Sequence, residues 1–142
     1  MRITQWAIFD LGDQPPPTFY NGRICIIGDA AHATSPHHGA GAGFCIEDSA
    51  ILAELLTDEI VKGQRHLEAV FATFDGVRRE RCRWLVESSR WIGDCYEWRA
   101  EGVGRDFGKI EREINRRMDI ISGIDIDEVN KEARGVLRRN IG

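Results

Sequence analysis

In the stretch GDAAHATSPHHGAGAG, residues 28–43, a carboxylate, a proline and alternating glycines stand in an order that suits a flat, polyanionic ligand. Asp29 ends an apolar run. In open α/β sheets ligands gather at the carboxyl ends of strands, where a short acceptor side chain can reach sugar hydroxyls. Pro36 fixes its own φ and biases Ser35 towards extended backbone, so the spacing predicts a stiff, nearly flat crossing of the site instead of continued helix. Gly39, Gly41 and Gly43 lack a Cβ and admit close approach of a planar or phosphorylated group. The helix beginning near them offers free N–H groups and about half a positive charge at its start.

Other chemistry competes for the same residues. His32, His37 and His38 lie close to Asp29 and could suggest zinc or non-haem iron. Pro36 and the glycines keep that segment extended, and neither an HExxH nor a facial-triad spacing is present, so no metal site is assigned. His32 is expected to hydrogen-bond locally and hold the turn. For His37 and His38 two placements stay open, the substrate side of a bound group or plain surface exposure. Glu47 and Asp48 fall in the first turns of the next helix, where carboxylates favour the dipole, and are read as structural and electrostatic rather than catalytic. Cys25, Cys45, Cys82 and Cys95 have no CxxC spacing and read as buried free thiols rather than disulfides.

The elements that must position these residues can be read from periodicity. Arg23–Gly28 is a short apolar run rich in β-branched residues, as in a strand covered on both faces of a parallel sheet. Ile46, Ala50, Ala53, Leu56 and Ile60, broadened by Leu52 and Leu55, predict a helix from about Gly43 to Lys62 stopped by Gly63. A longer pattern runs from Leu67 through Val70, Phe71, Phe74, Val77, Cys82, Leu85 and Ser89 to Ile92. Trp84, Trp91, Tyr96 and Trp98 make it unusually aromatic, which reads as core or docking surface. Gly102-Val-Gly104 marks a break. Phe107, Ile110, Ile114, Met118 and Ile121 predict a third helix, and Ile126, Val129, Ala133, Val136 and Leu137 a weaker fourth after an Asp125-Ile-Asp127 cap. Pro15-Pro16-Pro17 reads as a stiff loop.

The 142 residues carry a net charge of −4, which gives no reason to expect nucleic acid or an anionic membrane surface. Arg78, Arg79, Arg81 and Arg83 form a local basic cluster, read as a solvated helix face. No apolar core of signal-peptide length follows Met1-Arg2-Ile3-Thr4, and no run approaches membrane-spanning length, so a soluble, cytoplasmic protein is expected.

The chain resembles the C-terminal part of the FAD-dependent aromatic-ring monooxygenases, the salicylate hydroxylase-like branch of the class A flavoprotein monooxygenases. Their second flavin fingerprint runs GDAAHxxxPxxGxGxxxxIED and stands here without gap at Gly28–His32, Pro36, Gly39, Gly41 and Ile46-Glu47-Asp48. The resemblance extends upstream to Trp6–Asp10, similar to the last strand of the family's substrate domain, and downstream to Phe74–Ser89, similar to its long C-terminal helix. It implies FAD as cofactor. Asp29 would bind the ribityl chain, Pro36 would lie by the isoalloxazine ring near the site of oxygen reaction, and backbone N–H groups of Gly41, Ala42 and Gly43 would face the N1–C2=O edge. A helix start is a preorganised partner for the negative charge that a reduced flavin carries there.

The resemblance thus implies an α/β fragment, mostly α: the end of a FAD/NAD(P)-binding Rossmann-like domain, with one buried strand and long helices, preceded by the last strand of a substrate domain. The corresponding segments are residues 1–20, a substrate-domain remnant and Pro-rich loop; 21–63, the strand, turn and helix of the flavin-binding domain; and 64–142, a helical region. No strand followed by GxGxxG is found in the 142 residues, nor the family's DG motif. The expectation is therefore a fragment, a truncated product or one partner of a split enzyme. Two functions remain open. One is an FAD-dependent monooxygenase component that, with a complementing polypeptide carrying the GxGxxG half, uses NAD(P)H and O2 to hydroxylate a small aromatic or polyketide-like substrate. The other is a non-catalytic remnant or helical interaction module that does not bind FAD alone.

Overall fold

Apolar residues recur along residues 67–96 at helical spacing, and Val70, Phe74, Cys82, Leu85 and Ile92 are all buried there, in a helix of 30 residues that organises the molecule. The computed structural model describes residues 7–141. Their elements in chain order are β1 (Tyr20–Asn21), β2 (Ile24–Cys25), α1 (Asp29–His32), α2 (Gly41–Thr57), α3 (Leu67–Tyr96), α4 (Phe107–Ser122) and α5 (Ile126–Ile141). Short 3-10 turns lie at Pro36–His38 and Gln64–His66.

The core forms where α2, α3 and α5 meet. Phe44, Ile51 and Leu55 of α2 pack with Val70, Phe74, Cys82 and Leu85 of α3 and with Ala133 and Leu137 of α5, and Phe19 and Ala31 close the same cluster. The expected cap before the last helix is present, Asp125 Oδ1 accepting from Asp127 and Glu128 at 3.0 and 3.1 Å, and α4 has a cap of its own, Asp106 Oδ1 accepting from the Lys109 N–H at 3.0 Å. The segment before β1 lies along α3. There Arg90 pairs with Asp10 and Asp13, Arg79 Nη1 donates to the Pro17 carbonyl at 2.6 Å, and Asp75 Oδ1 accepts from the Phe19 N–H at 2.9 Å.

The structure is mostly helical, and three expectations about its elements are corrected. Instead of a covered strand over Arg23–Gly28, β2 spans Ile24–Cys25 and pairs antiparallel with β1, Tyr20 opposite Cys25 and Asn21 opposite Ile24. Ile24 is 72% exposed, because among the described residues no parallel neighbour or covering helix lies over it. Upstream, Trp6 lies outside the described residues, and Ala7–Asp10 take no regular structure. Third, α2 ends at Thr57, not at Lys62. The Asp58 backbone turns out of the helix at φ −59°, ψ 134°, and its Oδ1 accepts from the Ile60 N–H at 3.0 Å, a local bond that competes with helix continuation before Gly63 is reached.

Candidate functional site

A chain leaving β2 must reverse sharply to begin α1, and Gly28 makes this turn at φ 59°, ψ −142°, a conformation that side chains with a Cβ rarely adopt. A Cβ there would also stand 3.2 Å from Cys45 Sγ, which shows how closely α2 lies against the turn. α1 is a single turn of four residues starting at Asp29. Ser35 is extended at φ −62°, ψ 153°, as its position before Pro36 predicts. Pro36 then begins a 3-10 turn, so the flat crossing expected over this stretch is corrected: the segment coils once more before Gly39, in the left-handed region at φ 65°, releases it into α2.

Asp29, Pro36, Ala42 and Gly43 are exposed and Gly41 is partly exposed. Gly41 is spaced from Thr34 such that a Cβ would make ordinary contact at 3.5 Å, while a Cβ on Gly43 would meet nothing within 4 Å. Neither glycine has a positive φ. Nothing within the described chain therefore demands glycine at 41 or 43, and the missing side chains leave an open cradle. The N–H groups of Gly41, Ala42 and Gly43 find no acceptor among the described residues, the first helical bond being Phe44 N–H to Ala40 O at 3.1 Å, and no side chain caps this end. The first donors of a 17-residue helix are thus left without partners among the described residues, on residues that reach solvent.

Behind this open edge lies a buried ionic seam. Asp48, 0% exposed, accepts from the Gly28 N–H at 2.9 Å and from His32 Nε2 at 2.7 Å on Oδ2, and from Arg78 Nε at 2.7 Å on Oδ1. Arg78, also 0% exposed, donates on to Glu47 Oε2 at 2.6 Å, and Arg81 grips both oxygens of Glu47 at 2.9 Å. Burial works to raise the Asp48 carboxyl, but the bonds from His32, Gly28 and Arg78 outweigh it and hold the group below its ordinary value. Glu47 is lowered in the same way, with burial overcome by Arg81 and Arg78.

This seam corrects several readings of the sequence. Arg78 is not on a solvated face; it lies on the buried stripe of α3 between Phe74 and Cys82 and neutralises two carboxylates of α2. Arg79 and Arg83 do reach solvent. His32 holds the turn, but through Asp48, sixteen residues away, not locally. Glu47 and Asp48 lie in the second turn of α2, and their electrostatic role comes from Arg78, Arg81 and His32, the first turn holding no acidic residue. The sequence carried a signal for Arg78: an arginine interrupting an apolar stripe must find a counter-charge.

His37 and His38 are both pinned to α3. His37 Nδ1 lies 3.0 Å from Ser35 Oγ and 3.1 Å from the Ser89 carbonyl, and its ring fills the space over Gly93, where a Cβ would stand 2.5 Å away. His38 stacks on Trp84 and meets Ser88 Oγ at 2.8 Å, and Ser88 also accepts from Arg117 of α4 at 2.7 Å. Burial, with Arg117 and His37 nearby, lowers the His38 imidazole. Ser88, Ser89 and Gly93 were not marked as site residues in the sequence, since small residues on a long helix carry no pattern of their own. The aromatic stripe is divided: Trp84 and Trp91 are half-buried, with Arg117 4.1 Å over Trp91, while Tyr96 and Trp98 are exposed, Trp98 edge-on to an exposed Phe107.

Among the described residues one group, His32, Asp48 and Cys82, has its ligand atoms within 4.8 Å of one another. Its ligand atoms are already committed within the chain: Asp48 pairs with Arg78 and bonds His32 Nε2, and burial pushes the Cys82 thiol up to about 12. All four cysteines are free, Cys82 and Cys95 buried and Cys25 and Cys45 half-buried. No helix of the described residues is long and apolar enough to cross a membrane.

A dual trans-enoyl reductase/FAD-dependent monooxygenase of Aspergillus terreus is 41% identical over 99% of this chain, and the FAD-dependent monooxygenase pigN of Monascus ruber is 43% identical over 98%. The chain spans 22% of the first and 34% of the second. Among solved structures, a salicylate hydroxylase substrate complex superposes with a TM-score of 0.80 at 39% identity, covering 84% of this chain and 29% of that one. The family described as FAD binding domain matches residues 1–89, more than half of the chain. The chain belongs to the FAD binding domain family, whose cofactor is FAD.

Proposed function

We propose that this chain supplies the flavin-facing C-terminal part of an FAD-dependent monooxygenase that hydroxylates a small aromatic or polyketide-like substrate with NAD(P)H and O2. The observation that carries the reading is the cradle at Gly41 and Gly43. Two glycines free of any conformational or packing demand stand at an uncapped helix start, next to an exposed carboxylate. The residues fit the cofactor. Asp29 accepts hydrogen bonds from the ribityl hydroxyls, and the N–H groups of Gly41, Ala42 and Gly43 offer donors and the positive end of α2 to the N1–C2=O edge. Pro36, exposed at the start of its turn, bounds the ring side, and His37 is held beside it for a substrate. FAD, when bound, supplies hydride acceptance and oxygen activation. In this reading residues 1–20 are the end of the substrate domain, 21–63 the flavin-binding segment and 64–142 the supporting helices.

A second reading, a helical module that holds no FAD alone, is supported by the 142 residues containing no strand followed by GxGxxG. One experiment separates the two. The purified chain is expected to be colourless alone and to take up FAD with a polypeptide carrying a GxGxxG half. Asp29→Ala then weakens FAD about ten- to a hundredfold, the loss of a charge-assisted bond worth about 1.5–3 kcal/mol. Gly41→Val lowers the flavin midpoint potential by displacing the donors that face the anionic locus. Failure of the pair to bind FAD favours the helical module, and unchanged affinity in Asp29→Ala removes Asp29 from the site.

A further inference from the structure

We propose that Asp48 is a positioning residue for the cofactor, the point through which α3 sets the orientation of Asp29. The inference rests on the reading that Asp29 holds the ribityl chain.

α1 is one turn long, and an isolated turn does not hold itself in water. Its N-cap is Gly28, which has no side chain to bond the exposed amides. Both ends of α1 instead converge on one carboxylate oxygen: Asp48 Oδ2 accepts from the Gly28 N–H before the turn and from His32 Nε2 at its last residue, at 2.9 and 2.7 Å. Asp29 lies between these anchors. The His32 ring has no other polar tie among the described residues, since its Nδ1 is buried without a partner there, and it sits between Phe19 and Phe44. The imidazole is therefore committed to Asp48 alone.

Asp48 is locked from behind. Arg78 Nε binds Oδ1 at 2.7 Å, and Arg78 is itself held by Glu47 Oε2 and reaches the Phe44 carbonyl at 3.4 Å, so the carboxylate plane cannot rotate without breaking the pair. The cluster bridges α2 and α3 at the back of the turn. Buried ion pairs stabilise a fold little better than apolar side chains of the same volume, and their best-attested use is to impose one geometry. Here the geometry imposed is that of the turn carrying the exposed Asp29.

The test removes both charges together, so that no unpaired ion stays buried. FAD is titrated, by quenching of flavin fluorescence, into the chain paired with a polypeptide carrying a GxGxxG half, for wild type, Asp29→Ala, Asp48→Leu/Arg78→Met and Asp48→Asn/Arg78→Met. The Leu/Met variant, which leaves the Gly28 N–H and His32 Nε2 without an acceptor, is expected to keep its helical circular dichroism with a lowered melting temperature while FAD affinity falls about tenfold or more. The Asn/Met variant, which restores an acceptor for the Gly28 N–H, recovers most of that affinity. Retained wild-type affinity in the folded Leu/Met variant overturns the proposal, as does a loss of affinity that the Asn/Met variant fails to rescue. Hydrogen exchange on the chain alone gives an arm independent of flavin: the Gly28 amide exchanges slowly in wild type, and fast exchange there overturns the clamp even where the Leu/Met variant does not fold. If Asp29→Ala binds FAD as wild type does while Gly28 is protected, the reading of Asp29 fails and the clamp itself stands.

Discussion

On the outer side of the turn at residues 28–38, Asp29 and Pro36 meet solvent, and the N–H groups at the start of α2 have no partner among the described residues. On the inner side, His32, Asp48 and Arg78 are 2%, 0% and 0% exposed, and their side chains bond one another, the Gly28 N–H of the turn and, through Arg78, Glu47 and the Phe44 carbonyl of α2. The same short segment thus has one face left incomplete and one face over-determined. The incomplete face offers donors, an acceptor and empty space, which is what a ligand needs. The over-determined face makes that offer rigid, so less ordering remains to be done on binding.

The largest effect separating the two faces is expected from Arg78→Met. It leaves Asp48 and part of Glu47 buried without their cation, and an uncompensated buried charge costs about 3–5 kcal/mol. Urea denaturation measures this directly, and a loss below about 1 kcal/mol would mean that the seam is not coupled to folding. Next comes Gly28→Ala, which forces a Cβ into φ 59°, ψ −142° and to within 3.2 Å of Cys45 Sγ. A strained residue of this kind costs about 1–3 kcal/mol, to be read as a lower melting temperature.

Acid reaches the same seam without mutation. Asp48 and Glu47 are held below their ordinary values of 3.8 and 4.5 in the folded chain. A carboxyl depressed by folding contributes stability that is complete above its unfolded value and is lost as pH falls towards its folded one. The share of stability held by these two carboxyls should stay complete down to about 4.5 and decline below it, in addition to the earlier loss that the lowered His38 imidazole brings as pH falls below 6.5. The Asp48→Leu/Arg78→Met variant should decline less steeply, and equal slopes would assign the acid sensitivity to other carboxylates.

The smallest effect on folding belongs to the open face. Gly43→Ala adds a methyl that meets nothing within 4 Å, so stability should change by no more than about 0.5 kcal/mol. The same methyl enters the cradle proposed for the flavin and should weaken FAD in the reconstituted pair. A variant that loses stability, or one that binds FAD unchanged, removes the contrast between the two faces.

Much of this architecture is legible in the order of residues alone. The fingerprint from Gly28 to Asp48, the extended Ser35 before Pro36, the long helix around Phe74 and Leu85 and the Asp125 cap each depend on neighbours within a few positions, where backbone sterics, capping and periodicity act. The end of α2 was not legible, because Asp58 competes for the backbone through a side-chain bond whose strength depends on its setting, including Arg138 from α5.

What the tertiary structure alone decided is who pays attention to whom across the chain. Whether Arg78 faces water or two carboxylates depends on how α3 lies against α2, thirty residues earlier in the sequence for Asp48. Whether Ile24 is covered depends on which strands stand beside it, and among the described residues only β1 does. His32 and Asp48 look like separate elements of a motif until packing brings them to 2.7 Å. The sequence by itself determined the types of the exposed turn residues and the extended backbone of Ser35 before Pro36, because those are short-range matters of φ, ψ and side-chain size. Burial, charge pairing and the rigidity of the turn came from packing, because desolvation and Coulomb attraction act between residues that only the folded chain brings together.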